Sequence, residues 1–147
     1  MKYVITGLLA VIGTSFGLAQ SGGEAPAGAS GPAALEVSQT ADLGEFLVDA
    51  EGMTLYMFTS DTENTSNCYG DCATAWPPVL SEGEPTLGEG LDAELVSTTE
   101  RTDGATQVTY GGWPLYYWVK DAAPGDTTGQ NVGEVWFVVS PAGEIVQ

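Results

Sequence analysis

Two stretches of the chain share one hydrophobic rhythm: "EFLVDAEGMTLYMFTSD" at 45–61 and "TQVTYGGWPLYYWVKD" at 106–121. In each, a short apolar run leads to a turn and then to a second apolar run, which predicts a β-hairpin. The turns fall at Glu51 and Gly52 in the first and at Gly111 and Gly112 in the second. In the second run of each hairpin, side chains two apart share a face, so Tyr56 goes with Phe58 and Tyr116 with Trp118. Leu55 and Met57, or Leu115 and Tyr117, take the opposite face. Both faces are therefore apolar, and strands of that kind are covered on both sides. A mainly β domain follows, a small sandwich or barrel whose two hairpins are related by an approximate two-fold axis.

Beyond each hairpin the rhythm continues. A loop of about fourteen residues follows Asp61 or Asp121 and ends at Trp76 or Trp136. "EVWFVVSPAGEIV" then reads as two strands around a Pro-Ala-Gly turn, whereas Pro77 and Pro78 interrupt the matching run because proline cannot donate to a sheet. That first segment is expected at an edge or in an irregular connection.

The recurrence has a register. Shifted by sixty residues without a gap, Gly44, Val48, Gly52, Leu55, Tyr56, Asp61, Trp76, Val79, Gly83 and Glu84 fall on Gly104, Val108, Gly112, Leu115, Tyr116, Asp121, Trp136, Val139, Gly143 and Glu144. Phe58 falls on Trp118. The matched residues are bulky or turn-forming, so the domain reads as two copies of one unit, about 41–87 and about 101–147.

The N-terminus reads differently. "MKYVITGLLAVIGTSFGLAQ" has a basic start at Lys2, an apolar run from Val4 to Phe16 and small residues at Gly17 and Ala19, the pattern of a secretory leader spanning 1–19 and cleaved after Ala19. Its apolar run is too short for a membrane span. The following stretch to residue 35 is mostly Gly, Ala, Pro and Ser and predicts a flexible linker, with one β-rich domain over 36–147. A secreted or periplasmic location is expected.

Charge narrows the partners. The chain has 20 Asp and Glu against 3 Lys and Arg, no His, and a formal net charge of −17. Loss of the leader removes Lys2 and leaves Arg101 and Lys120 as the bases. Nucleic acid and anionic lipid surfaces are excluded as partners, because the residues that would neutralise phosphates are missing.

The residues resemble a known family at this point. Gly-x-x-Leu-Tyr-x-aromatic-x-x-Asp, then Ser-x-Cys-x-x-x-Cys-Ala-x-x-Trp-Pro-Pro, is similar to the secreted repeats of predicted bacterial lipoproteins marked by a Tyr-x-(Phe/Trp/Tyr)-x-x-Asp motif. Here the match comprises Tyr56, Phe58, Asp61, Ser66, Cys68, Cys72, Ala73, Trp76, Pro77 and Pro78, and in the second copy Tyr116, Trp118, Asp121 and Trp136. The resemblance implies export and no established activity. Members commonly carry a lipobox cysteine, and "GLAQS" has none, so a freely soluble exported form is expected.

The chemistry offered by the side chains is limited. Cys68 and Cys72 are the two cysteines of an exported chain, and a local disulfide is expected. Their spacing lacks the two-residue gap and the helix of thioredoxin-like redox motifs. Without His, and with Lys120 beside Asp121, acid–base or nucleophilic catalysis would rest on carboxylates alone, so no enzyme activity is expected. No cofactor or metal is expected either. The oxygen donors suit Ca²⁺ best, with Asp61 and Glu63 the candidates, but "DTENTSN" lacks the glycine and distal Glu of an EF-hand loop. Asp61 and Asp121 are expected to accept backbone N–H groups in the turns after their strands, and the aromatic residues to fill a core. The functional expectation is a non-enzymatic exported module that binds an unknown protein or polymer. Two alternatives are a redox accessory using the cysteines with the Tyr/Trp cluster, and a calcium-dependent or aromatic-platform carbohydrate binder.

Overall fold

The computed structural model describes residues 31–147, so the expected leader and the linker up to residue 30 lie outside the described residues. The ordered domain starts earlier than position 36. Ala33 donates its N–H to Ser81 Oγ at 2.9 Å, strand β1 spans Ala34–Thr40, and Leu35 is fully buried. The linker composition ends where Ala33 and Leu35 supply side chains that a core can hold.

Strands β2 (Gly44–Asp49), β3 (Tyr56–Phe58), β4 (Thr86–Leu87), β5 (Val96–Glu100), β6 (Thr106–Tyr110), β7 (Trp113–Pro114) and β8 (Trp136–Val138) follow, with a short helix α1 (Asp71–Ala75). Among the described residues they form three small sheets, β2-β1-β4, β3-β8 and β5-β6-β7, and no closed barrel. The fold is mainly β, built from two repeats. The predicted turns are present: Gly52 and Gly112 have φ of 87° and 88°, a region that only glycine enters without strain.

The repeats are interwoven. β3 of the first repeat pairs with β8 of the second, Phe58 opposite Trp136. In the mirror arrangement Tyr116 bridges Pro78, and Tyr117 N–H donates to the Pro77 carbonyl at 2.7 Å. The expected irregular connection at Pro77 and Pro78 is this bridged segment. Tyr56 and Tyr116 face each other at the centre, exchanging backbone bonds of 2.8 and 2.9 Å, so the pseudo-two-fold axis runs between them.

Hydrogen bonding refines the register. Leu47 N–H reaches the Val139 carbonyl, and Val108 N–H reaches the Val79 carbonyl. Since Val79 and Val139 are sixty apart, Leu47 corresponds to Val108, and the ungapped match of Val48 with Val108 is off by one residue before the turn. The first turn is one residue longer than the second, which absorbs the difference.

Alternation along β3 feeds two cores. Leu55 and Met57 join Leu35, Leu47, Val108 and Leu115, while Tyr56 joins Phe46, Trp76, Tyr116 and Trp136. This is the two-sided burial that the sequence pattern predicts.

Candidate functional site

The second core collects nearly every motif side chain. Phe58 stacks on Trp136 at 4.2 Å between centroids, Trp136 on Trp76 at 3.8 Å, and Trp76 on Trp118 at 4.0 Å. The order alternates between repeats, and the axis passes between Trp76 and Trp136. Tyr56 meets Trp76 edge-on at 5.5 Å, and Tyr116 meets Trp136 edge-on at 5.2 Å, the geometry that ring quadrupoles favour. Both tyrosines are fully buried and both central tryptophans nearly so. Phe58 and Trp118, at the two ends, are half-buried.

The motif aspartates close the pattern across the repeats. Tyr56 donates its hydroxyl to Asp121 Oδ2, and Tyr116 donates to Asp61 Oδ2, each at 2.7 Å. The other oxygen of each carboxylate accepts a loop N–H, from Asn67 at 2.7 Å for Asp61 and from Thr128 at 2.9 Å for Asp121. Each aspartate therefore does more than cap its own turn: it carries the tyrosine of the opposite repeat. Burial raises the Asp61 carboxyl above the usual range, opposed by the bonds from Tyr116 and Asn67 and by the charge of Arg101. Burial, followed by the bond to Asp121, pushes the Tyr56 phenol far up; for Tyr116 burial again leads, partly relieved by Ser66.

The loops after the two aspartates are held differently. In the first, Cys68 and Cys72 form a disulfide, and Cys72 lies on α1, where the spacing predicted no helix. The Trp76 N–H donates to the Cys72 carbonyl at 2.7 Å, so the cross-linked turn delivers Trp76 into the stack. Arg101, unremarked in the sequence except as a charge, is buried there. Its guanidinium donates to Ser66 Oγ at 3.1 Å, Gln107 Oε1 at 2.9 Å, the Cys68 carbonyl at 2.9 Å and the Asp103 carboxylate, and it lies 4.3 Å from the Tyr69 ring centroid. One signal was legible: it is the chain's single arginine, and it lies within a strongly acidic sequence. In the second loop Gly129 takes that part. Its N–H donates to the Tyr56 hydroxyl at 3.1 Å, and a Cβ there would lie 2.8 Å from the Tyr56 ring and 3.0 Å from Trp76.

The calcium candidates belong to a shallow groove of about 440 Å³ lined by Asp61, Thr62, Glu63, Gly112 and Trp113. Glu63 is exposed, and both Asp61 oxygens carry the bonds described above. Among the described residues no group of three or more His, Cys, Asp or Glu side chains gathers as a metal site. None of their helices is long and apolar enough to cross a membrane.

A family model described as a secreted repeat of unknown function matches residues 37–80 and again 97–140. No curated protein and no solved structure matches the chain.

Proposed function

We propose that this chain, which belongs to the family of secreted repeats of unknown function, serves outside the cytoplasm as a non-catalytic binding or interaction module that needs no cofactor. One observation carries the reading: the motif groups with any chemical potential, Tyr56, Asp61, Tyr116 and Asp121, are buried and bonded to one another across the repeats. A general acid or base must exchange a proton with its substrate, and each oxygen of these two carboxylates is already held by a donor inside the protein. The motif is then a folding device, and recognition belongs to the acidic outer surface.

Proximity labelling in the exporting cell tests this. Tyr116→Phe, which trims an interior bond, should leave the set of labelled neighbours unchanged, whereas reversing surface carboxylates to lysine should change it. A substrate turned over by the native protein and spared by folded Asp61→Asn would contradict the reading.

A second reading, a redox accessory, has the run of stacked rings from Phe58 to Trp118 in its favour. The disulfide potential separates the two. A value below about −300 mV fits a structural bridge, and one near about −200 mV fits a redox pair.

A further inference from the structure

We infer that the open edge of β1 at Val37 and Gln39 is a docking site for an extended, lysine- or arginine-rich segment of another exported protein, added as a further strand of the β2-β1-β4 sheet. The inference rests on the interaction-module reading and gives it a place and a partner chemistry.

The direction of the backbone groups follows from the register. Val37 lies opposite Leu47 and Gln39 opposite Glu45. Leu47 turns its N–H and carbonyl away from β1, to Val139 and Leu55. In an antiparallel pair facing residues either bond each other or both face away, so Val37 and Gln39 point their N–H and carbonyl groups to the other side. On that side β4 pairs only with Ala34 and Leu35, and its last contact is the Gly88 N–H on the Leu35 carbonyl at 2.8 Å. Past Gly88 the described chain makes no further backbone bond to β1, although Gly90 stays close enough that a Cβ there would lie 3.5 Å from Val37 Cγ2. Among the described residues, the Val37 and Gln39 backbone groups have no backbone partner.

The gap left there is a groove of about 700 Å³ with Gly88 and Gly90 in its wall. Glu36, Glu45 and Glu89 line it without a basic residue. Glu36 and Glu45 belong to opposite faces of the sheet, since Glu45 is paired with Gln39 and side chains alternate along β1. An incoming strand would therefore have the Glu36 carboxylate on the neighbouring strand at one face and, across β1 on the other face, that of Glu45. A second copy of this chain would bring its own glutamates against them, and like charges placed opposite each other destabilise a strand pair. A cationic strand satisfies the backbone groups and the carboxylates together, which is the logic of strand addition. The corresponding edge of β5 supplies a control. Its groove, about 400 Å³, includes Glu84 but no cluster of carboxylates.

The test uses a short end-blocked peptide of alternating lysine with valine or threonine, titrated into the signal-free protein with amide exchange followed by NMR. Binding that weakens with NaCl and slows exchange at the Val37 and Gln39 amides is expected. Methylating alternate peptide nitrogens, or Val37→Pro in a protein whose tyrosine and tryptophan dichroism is unchanged, should weaken binding at least about tenfold. Thr98→Pro on the β5 edge should not. Equal binding by the methylated peptide, protection elsewhere, or self-association through β1 in ultracentrifugation would overturn the site. If the peptide fails while labelled neighbours still depend on surface charge, the docking site falls and the interaction module stands.

Discussion

The two Tyr–Asp corners of the inner core are built on one plan and finished in opposite ways. Around Tyr116 the surroundings are polar: Asp61 and Ser66 bond the hydroxyl, and Gln107 and Arg101 continue the network. Around Tyr56, beyond the Asp121 carboxylate, they are apolar. Phe46, the counterpart of Gln107 in the refined register, packs in the same core, and Gly129 gives its N–H to the hydroxyl. The first corner has a disulfide and a buried guanidinium as braces; the second has close contact with a residue that lacks a side chain. The common part, two tyrosines, two aspartates and the tryptophan pair, holds the fold. The dissimilar parts show that, beside the aspartate that accepts its proton, a buried phenol can be completed by a polar network or by one well-placed amide.

The largest effects should fall on the common part and fall equally. Trp76→Ala and Trp136→Ala should each cost about 3–5 kcal/mol in denaturant unfolding, enough to unfold a domain of this size, while half-buried Trp113→Ala costs clearly less. Unequal losses at Trp76 and Trp136 would break the symmetry argument. The braces come next. Cys68→Ser with Cys72→Ser should cost about 2 kcal/mol and leave a folded β protein. Gly129→Ala should cost about 1–3 kcal/mol because its methyl meets the Tyr56 and Trp76 rings. If only the cysteine variant loses stability, the second loop is not braced as described.

Alkaline unfolding sharpens the comparison. Tyr117 in the second repeat stands where the first has Met57, and burial, with the nearby Asp49 carboxylate, raises its phenol well above 10.0. The folded form keeps this proton where the unfolded chain loses it. Its contribution is therefore whole below pH 10 and declines as pH rises, by about 1.4 kcal/mol per pH unit. Tyr117→Met should flatten the stability–pH slope above pH 10 by that amount, and an unchanged slope would count against the burial argument. Smallest is the effect at Thr109, the counterpart of Val48, whose buried Oγ1 has no partner among the described residues. Thr109→Val should raise stability by about 1 kcal/mol in thermal or denaturant unfolding.

Much of this was legible in the sequence. Period-two alternation of Leu55 to Phe58 indicated burial on both faces, and the sixty-residue shift indicated two copies. The one-residue slip before the turn was not legible, because Val48 and Val108 are identical in the ungapped match and only hydrogen bonds show Leu47 in the equivalent place. Which aspartate serves which tyrosine was equally hidden: pairing across repeats and within a repeat leave the same motif. Arg101 and α1 escaped for another reason. A single arginine has no periodicity to betray burial, and a one-turn helix in "DCATA" takes its place from the disulfide and from Trp76.

The claim at the centre is that each repeat's tyrosine is held by the other repeat's aspartate. Double-mutant cycles measured by urea unfolding, with Tyr→Phe and Asp→Asn at 56, 61, 116 and 121, test it most directly. The account predicts coupling on the order of 1 kcal/mol for Tyr56 with Asp121 and for Tyr116 with Asp61, and coupling within about 0.3 kcal/mol of zero for Tyr56 with Asp61 and for Tyr116 with Asp121. Coupling concentrated in the within-repeat pairs would contradict it.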